Sequence, residues 1–277
     1  MKIFISVDAE GICGVSSWHE TIPKDPDYNR FRELVTDEVN VVCSAIREVS
    51  PRAEIVVCDS HAMGENLFVN KLIKDIYLVR GFPRQYYMME GLDSSFDGVI
   101  FLGYHAMIGS LRGGMDHSYS SSTVYSIKVN GKEYGETDLN AVFAGYYKVP
   151  LLLVSGDDVL IKDIKKRYKQ VTIVLTKKGI SRFSSKSLPL NKVHSDLRIK
   201  TITAINNIKK SKPIFITPEY RVEIKFNNTV QADVVSLLPQ LKRIDGRTIK
   251  FKISDYRDFY SMFMAIILLA ATTKTMG

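Results

Sequence analysis

Cysteine is nearly missing from this chain: Cys13, Cys43 and Cys58 are the only three in 277 residues. They are widely spaced and form no C-x-x-C pair, and their odd number argues against a disulfide framework. A reducing, cytoplasmic compartment is therefore expected. Long apolar runs are missing too. The stretch from Phe263 to Thr272 covers ten residues, too few to span a bilayer, and reads as a buried helix. The chain opens directly into a strand pattern, without a charged leader or cleavage site, so neither a secretory signal nor a membrane partner is expected. Internal repeats and low-complexity tracts are also absent. What remains, 45% hydrophobic and 25% charged residues, is the composition of an ordinary globular protein with one large domain or two small ones.

Charge is unevenly placed. Residues 1–150 carry 14 Lys and Arg against 20 Asp and Glu, whereas residues 151–277 carry 24 against 10, giving the overall +8. A basic half invites a polyanion. Its lysines are scattered, however, and no nucleic-acid-binding motif accompanies them. A solvated surface, or one that meets the acidic half of a neighbouring subunit, is the expectation, with no nucleic acid as partner.

Periodicity gives an α/β fold. Lys2–Val7 reads as a strand, residues 30–49 as a helix interrupted by Glu38 and ended by Pro51, and Ala53–Cys58 as a second strand. Strand, helix, strand is the unit of a parallel sheet. Ile76–Val79, Gly98–Leu102 and Pro150–Val154 read as further strands, with Val171–Leu175 the last of that sheet. Val124–Val129 alternates and turns back at Asn130-Gly131, a hairpin signal. Tyr86–Leu92 reads as a short helix, Leu139–Tyr147 as another, and Leu190–Lys210 as a helix followed by strands at Arg221–Phe226 and Thr248–Ile253 and a last helix from Tyr256 to Thr273. The expected architecture is a mostly parallel sheet flanked by helices in residues 1–180, with a smaller α+β portion, suited to oligomerisation, in residues 181–277.

The chemistry gathers at strand ends. Asp8 and Glu10 close the first strand, two like charges that repel unless a cation lies between them. His61 follows the second strand through Asp59-Ser60. His105 follows the Gly98–Leu102 strand through Gly103-Tyr104, and His117 lies in the loop beyond. In a parallel sheet these ends share one edge, where such folds bind ligands. Glu136 sits in a glycine turn just before a helix. Imidazole nitrogens and carboxylate oxygens are good zinc ligands. Asp8, Glu10, His61, His105 and Glu136 exceed the needs of one tetrahedral ion and suit a pair about 3.5–4 Å apart. By composition alone Asp59, Asp116, Asp138, Asp157 or Asp158 could substitute for one of them. His117 is the candidate to transfer a proton or to attack. His19 is either a substrate contact or a surface residue, and His194 reads as a surface residue.

The motifs Ser6-x-Asp8-x-Glu10-Gly11, Asp59-Ser60-His61, Gly103-Tyr104-His105-Ala106, His117-Ser118 and Gly135-Glu136-x-x-Leu139-Asn140-Ala141 resemble the D-aminopeptidase family of zinc metallopeptidases, in the family's order and over nearly the whole chain. The resemblance implies two zinc ions per chain held by Asp8, Glu10, His61, His105 and Glu136, with Asp8 bridging and His117 catalytic. It implies a hydrolase that removes N-terminal, preferentially D-, amino acids from short peptides, and self-association into a decamer. A metal-dependent amidohydrolase acting on another small amide is the alternative. The stretches Val15–Glu20 and Lys162–Lys169 depart from the family pattern.

Overall fold

A computed structural model describes residues 1–275. The elements run β1 (Lys2–Val7), α1 (Tyr28–Val49), β2 (Glu54–Asp59), β3 (Tyr77–Val79), β4 (Gly98–Tyr104), β5 (Val124–Val129), β6 (Lys132–Glu133), α2 (Glu136–Tyr146), β7 (Leu151–Asp157), α3 (Asp158–Arg167), β8 (Thr172–Ser181) and β9 (Ser184–Ser187). They continue with α4 (Leu190–Asn206), β10 (Tyr220–Phe226), α5 (Thr229–Val235), β11 (Lys242–Arg243), β12 (Thr248–Ile253) and α6 (Tyr256–Ala271). The α/β class expected from periodicity holds. One sheet has the order β3-β2-β1-β4-β7-β8-β9, parallel except for β9. The other, β11-β12-β10-β5-β6, is antiparallel.

Strand alternation sorts the core into two layers. Ile3, Ile5, Val7, Ile55, Val57, Ile100 and Leu102 face α1 and α4. Phe4, Val56, Cys58, Val99 and Phe101 face the other way, toward α2, α6 and the apolar side of the antiparallel sheet. That sheet draws its strands from both residues 124–133 and residues 220–253. In β10, Tyr220, Val222, Ile224 and Phe226 point inward while Arg221, Glu223 and Lys225 alternate with them, the half-buried pattern of an antiparallel strand.

Three local readings change. The segment read as a short helix at Tyr86–Leu92 is a single 3-10 turn, Tyr87–Met89. The helix from Leu190 ends at Asn206, and a separate 3-10 turn covers Ile208–Lys210. Val171–Leu175 lies in the last parallel strand but not the last strand of the sheet: β8 continues to Ser181 and turns back as the antiparallel β9. Its continuation, Thr176-Lys177-Lys178, is polar in sequence, yet Thr176 and Lys177 are fully buried. Glu38, which interrupts the apolar face of α1, is buried as well and accepts a hydrogen bond from the backbone N–H of Cys13 at 2.8 Å. Burial pushes its carboxyl up to about 7. The three cysteines are free and buried. No described helix is long and apolar enough to cross a membrane.

Candidate metal centre

Strand order reverses direction at β1, which is flanked by β2 on one side and β4 on the other. Such a switch point opens a crevice beyond the carboxyl ends of the strands. The loops after β1, β2 and β4 all empty into it. Asp8 and Glu10 lie just past β1, in a turn rather than on the strand itself. The turn is pressed against β4: Asp8 N donates to Leu102 O at 2.8 Å and Gly11 N to Gly103 O at 2.7 Å. A Cβ on Gly11 would overlap the carbonyl oxygens of Gly103 and Tyr104, so only glycine permits this approach. From the far side, Lys177 Nζ donates to the backbone carbonyls of Glu10, Ile12 and Val15, and Thr176 Oγ1 donates to Gly11 O at 2.6 Å. Burial pulls the Lys177 ammonium down to about 8, partly offset by Asp157, Glu10 and Glu38. Lys177→Met should therefore strip the turn of its three charged hydrogen bonds and lower stability by about 3–5 kcal/mol. Urea unfolding of the variant against the parent measures this, and a loss below about 1 kcal/mol would contradict the assignment.

Six side chains converge. His61 Nδ1 lies 3.3 Å from both Asp8 Oδ1 and Glu10 Oε2. His105 Nε2 lies 3.5 Å from Asp8 Oδ2 and 3.3 Å from Glu136 Oε1. His117 Nε2 lies 3.5 Å from Glu136 Oε1 and 3.8 Å from Glu10 Oε1, and its ring stacks on that of His105 with centroids 4.2 Å apart. Glu136 is the first residue of α2, where the helix dipole favours a carboxylate, and it also accepts from Tyr119 N at 2.6 Å.

The protonation pattern follows from geometry. His105 Nδ1 lies 2.9 Å from Ala106 O, a bond that requires N–H on that side and aims Nε2 at the carboxylates. His117 Nδ1 lies 3.0 Å from Met115 O and has the same consequence. Burial and the adjacent Glu10 push Asp8 up to about 7. Burial opposes ionisation of Glu10 and Glu136 as well, but the surrounding histidines outweigh it and hold both below the usual range. Burial alone would lower His61 and His105, yet the carboxylates win and raise both. His117 goes the other way, lowered by burial and by His105.

Among the described residues, Asp8 Oδ2, Glu10 Oε2 and His105 Nε2 are buried without a hydrogen-bond partner. Buried polar atoms are rarely left so. Donor atoms of Asp8, Glu10 and His105 lie within 4.8 Å of one another, as do those of His105, His117 and Glu136. Hard oxygen and imidazole donors in this arrangement fit divalent zinc. The competing acids are engaged elsewhere. Asp59 accepts from Asn66 and Leu67, Asp116 pairs with Arg182, and Asp138 with Arg167 and Tyr168. Asp157 caps α3 and accepts from Ala106 N, and Asp158 accepts from Gly179 N.

The sequence profile of the family described as D-aminopeptidase matches residues 1–265. The chain belongs to the D-aminopeptidase family. A D-aminopeptidase of Bacillus subtilis (strain 168) is 37% identical over 277 residues, covering 99% of each chain. Among solved structures, the Zn-dependent D-aminopeptidase DppA from Bacillus subtilis, a self-compartmentalizing protease, matches with a TM-score of 0.95 at 34% identity over 99% of each chain. The expected fold and peptidase activity thus hold for this D-aminopeptidase-family member.

A cleft of about 380 Å³ opens over the cluster. Several of its walls escaped the sequence reading. Trp18, the only tryptophan, places Nε1 3.3 Å from Glu10 Oε1 and its ring edge-on to His117 at 5.7 Å. Phe183 and Arg182, from the β8–β9 turn, pack on the indole from outside. Tyr87, Tyr119, the Ser120–Ser122 tract and Lys274 also line it. The stretch that carries Trp18, Val15–Glu20, stands out in sequence as a departure close after the acid pair, whereas the serine tract is visible only as an oddity of composition. His19 is exposed and lies outside this lining. His194, read as a surface residue, is half-buried with its Nε2 enclosed on α4, far along the chain from the cleft. Asn140 is fully buried, accepting from Tyr119 and Tyr260 and donating to Tyr104.

Proposed function

We propose that this family member is a zinc-dependent aminopeptidase that removes N-terminal, preferentially D-, residues from short peptides, using two zinc ions per chain. The observation that carries the reading is the set of three buried, unpartnered donor atoms on Asp8, Glu10 and His105, facing two further histidines and Glu136. Asp8, Glu10, His61, His105 and Glu136 would hold the ions, with Asp8, whose two oxygens face different histidines, bridging them. When bound, the ions supply Lewis acidity toward the scissile carbonyl and lower the pKa of water.

His117 is the proposed catalytic group. Its Nδ1 is tied to Met115 O and its pKa is lowered, so at neutral pH it presents an unprotonated Nε2 to the cluster. As a general base Nε2 would take a proton from the attacking water and give that same proton to the leaving amine. As a nucleophile it would form an acyl-imidazole, and the leaving amine would then take its proton from water. A second reading has a specific observation behind it: His117 also lies in a three-donor group with His105 and Glu136, so it could act as a ligand.

The assembly proposal is a homo-oligomer, a decameric ring, with residues 181–277 contributing contact surface. Its support is the self-compartmentalizing relative and the opposite charge of the chain's two halves. A cytoplasmic setting is proposed on the three free, buried cysteines.

Metal analysis should return close to two zinc ions per chain, and a panel of free-amino D- and L-dipeptides should be cleaved in preference to N-blocked amides. Cleavage confined to blocked substrates would make the protein an amidohydrolase instead.

A further inference from the structure

We propose that Lys274 and the serine tract Ser120–Ser122 form an anchor for the free C-terminal carboxylate of a peptide two or three residues long, an inference that rests on the aminopeptidase reading above. The cleft is electrically lopsided. Asp8, Glu10, Glu136, His61 and His117 line it at the cluster, whereas Lys274 is the only Lys or Arg among its described lining residues. A short peptide is a zwitterion whose scissile bond lies next to the N-terminal amine. Each extended residue spans at most about 3.6 Å, so the carboxylate of a dipeptide or tripeptide remains within or at the mouth of so small a cleft. A carboxylate taken from water needs a partner there.

The serine tract is prepared to be one. Its acceptors are already used: Ser120 O receives Thr123 N and Val124 N, Ser121 O receives Asn227 Nδ2 at 3.1 Å, and Ser122 O receives Gln231 Nε2 at 2.9 Å. With its carbonyls engaged, the tract faces the cleft with hydroxyls. Those of Ser120 and Ser122 are hydrogen-bonded to each other at 3.3 Å, one donating to the other, which leaves the second O–H to donate outward. Lys274 forms no ion pair with any carboxylate of the described residues. Its place at the cleft is set by α6, which runs directly into the 3-10 turn carrying it. That helix is fixed to the site through Tyr119, whose hydroxyl bonds Tyr260 at 2.8 Å and whose ring packs on Phe263 at 4.8 Å. The same Tyr119 donates its N–H to Glu136. The end of the chain is thereby coupled to the metal-binding end of the cleft. A longer peptide would carry its carboxylate past the anchor and lose the contact, which gives a preference for short substrates.

The test compares D-alanyl-D-alanine with its C-terminal amide, by calorimetric affinity on the zinc-loaded His117→Ala variant and by kcat/KM on the parent enzyme. A charge-assisted contact should favour the free acid about tenfold, mainly in Kd and KM. Adding Lys274→Met should bring the acid-to-amide ratio close to one, and Lys274→Arg should retain most of it. Equal binding of acid and amide with Lys274 present, or a preference that survives Lys274→Met, would overturn the anchor. Acid-selective binding without any cleavage by the parent enzyme would instead sink the aminopeptidase reading and leave the anchor standing.

Discussion

His117→Ala should lower kcat for D-alanyl dipeptide cleavage by about a thousandfold, the range a positioned proton-transfer group supplies, while zinc content stays near two ions per chain. The imidazole is a lone-pair donor at Nε2 because Nδ1 is committed to Met115 O. Its enclosure and the charge of the neighbouring His105 lower its pKa. Removing it takes away a contact to Glu10, Glu136 and His105 but keeps all five proposed ligands, Asp8, Glu10, His61, His105 and Glu136. The companion change Glu136→Gln makes the opposite expectation. It withdraws a charge that lies 3.3 Å from His105 Nε2 and 3.5 Å from His117 Nε2, so metal as well as activity should go. Metal analysis on the two variants separates the roles. Loss of zinc from His117→Ala would make that residue a ligand, the reading favoured by its place in a three-donor group.

Chelation should abolish cleavage and lower the melting temperature by about 10 °C at neutral pH. This is what ligand concentrations near a thousand times Kd contribute in a chain of this size. The difference should shrink as pH falls from 8 to 5. Asp8 has its folded pKa raised to about 7 by burial and Glu10, so in the metal-free protein its contribution to stability is complete below 3.8 and lost as pH climbs to about 7. His61 and His105 are raised as well. Their contribution is complete below 6.5 and disappears as pH rises through the elevated folded values. Acidification therefore stabilises the metal-free cluster and, since zinc must displace these protons, weakens zinc binding. Glu10 and Glu136 are lowered, so their contribution is complete above 4.5 and is lost only further into acid. Melting curves with and without zinc at pH 5, 6, 7 and 8 measure the gap. A gap that widens on acidification would contradict the assignment.

Much of this was legible from local pattern, because strand alternation and the strand-helix-strand rhythm are properties of neighbouring residues. Lys2–Val7, Val124–Val129 with its Asn130-Gly131 turn, and Arg221–Phe226 were all readable in that way. The convergence of Asp8, Glu10, His61 and His105 followed from one rule, that parallel strands end on a common edge. The continuation of β8 was not legible. Lys177 has the composition of a loop residue, and only three carbonyls from a turn more than 160 positions away explain its burial. Glu38 does interrupt the apolar face of α1, and the reason for its burial was not legible in sequence because its partner, Cys13 N, lies outside the helix.

By itself the sequence determined the fold class and supplied the candidate donor atoms, since both rest on residue type and on periods of two and about 3.6. Only the tertiary structure decided which acids face the histidines. Asp59, Asp116, Asp138, Asp157 and Asp158 are as acidic in sequence as Asp8, but each is held by donors elsewhere in the fold. The tertiary structure also set Trp18, Ser120–Ser122 and Lys274 around one cleft. Contacts between such distant segments depend on how whole layers pack, and no local period encodes that.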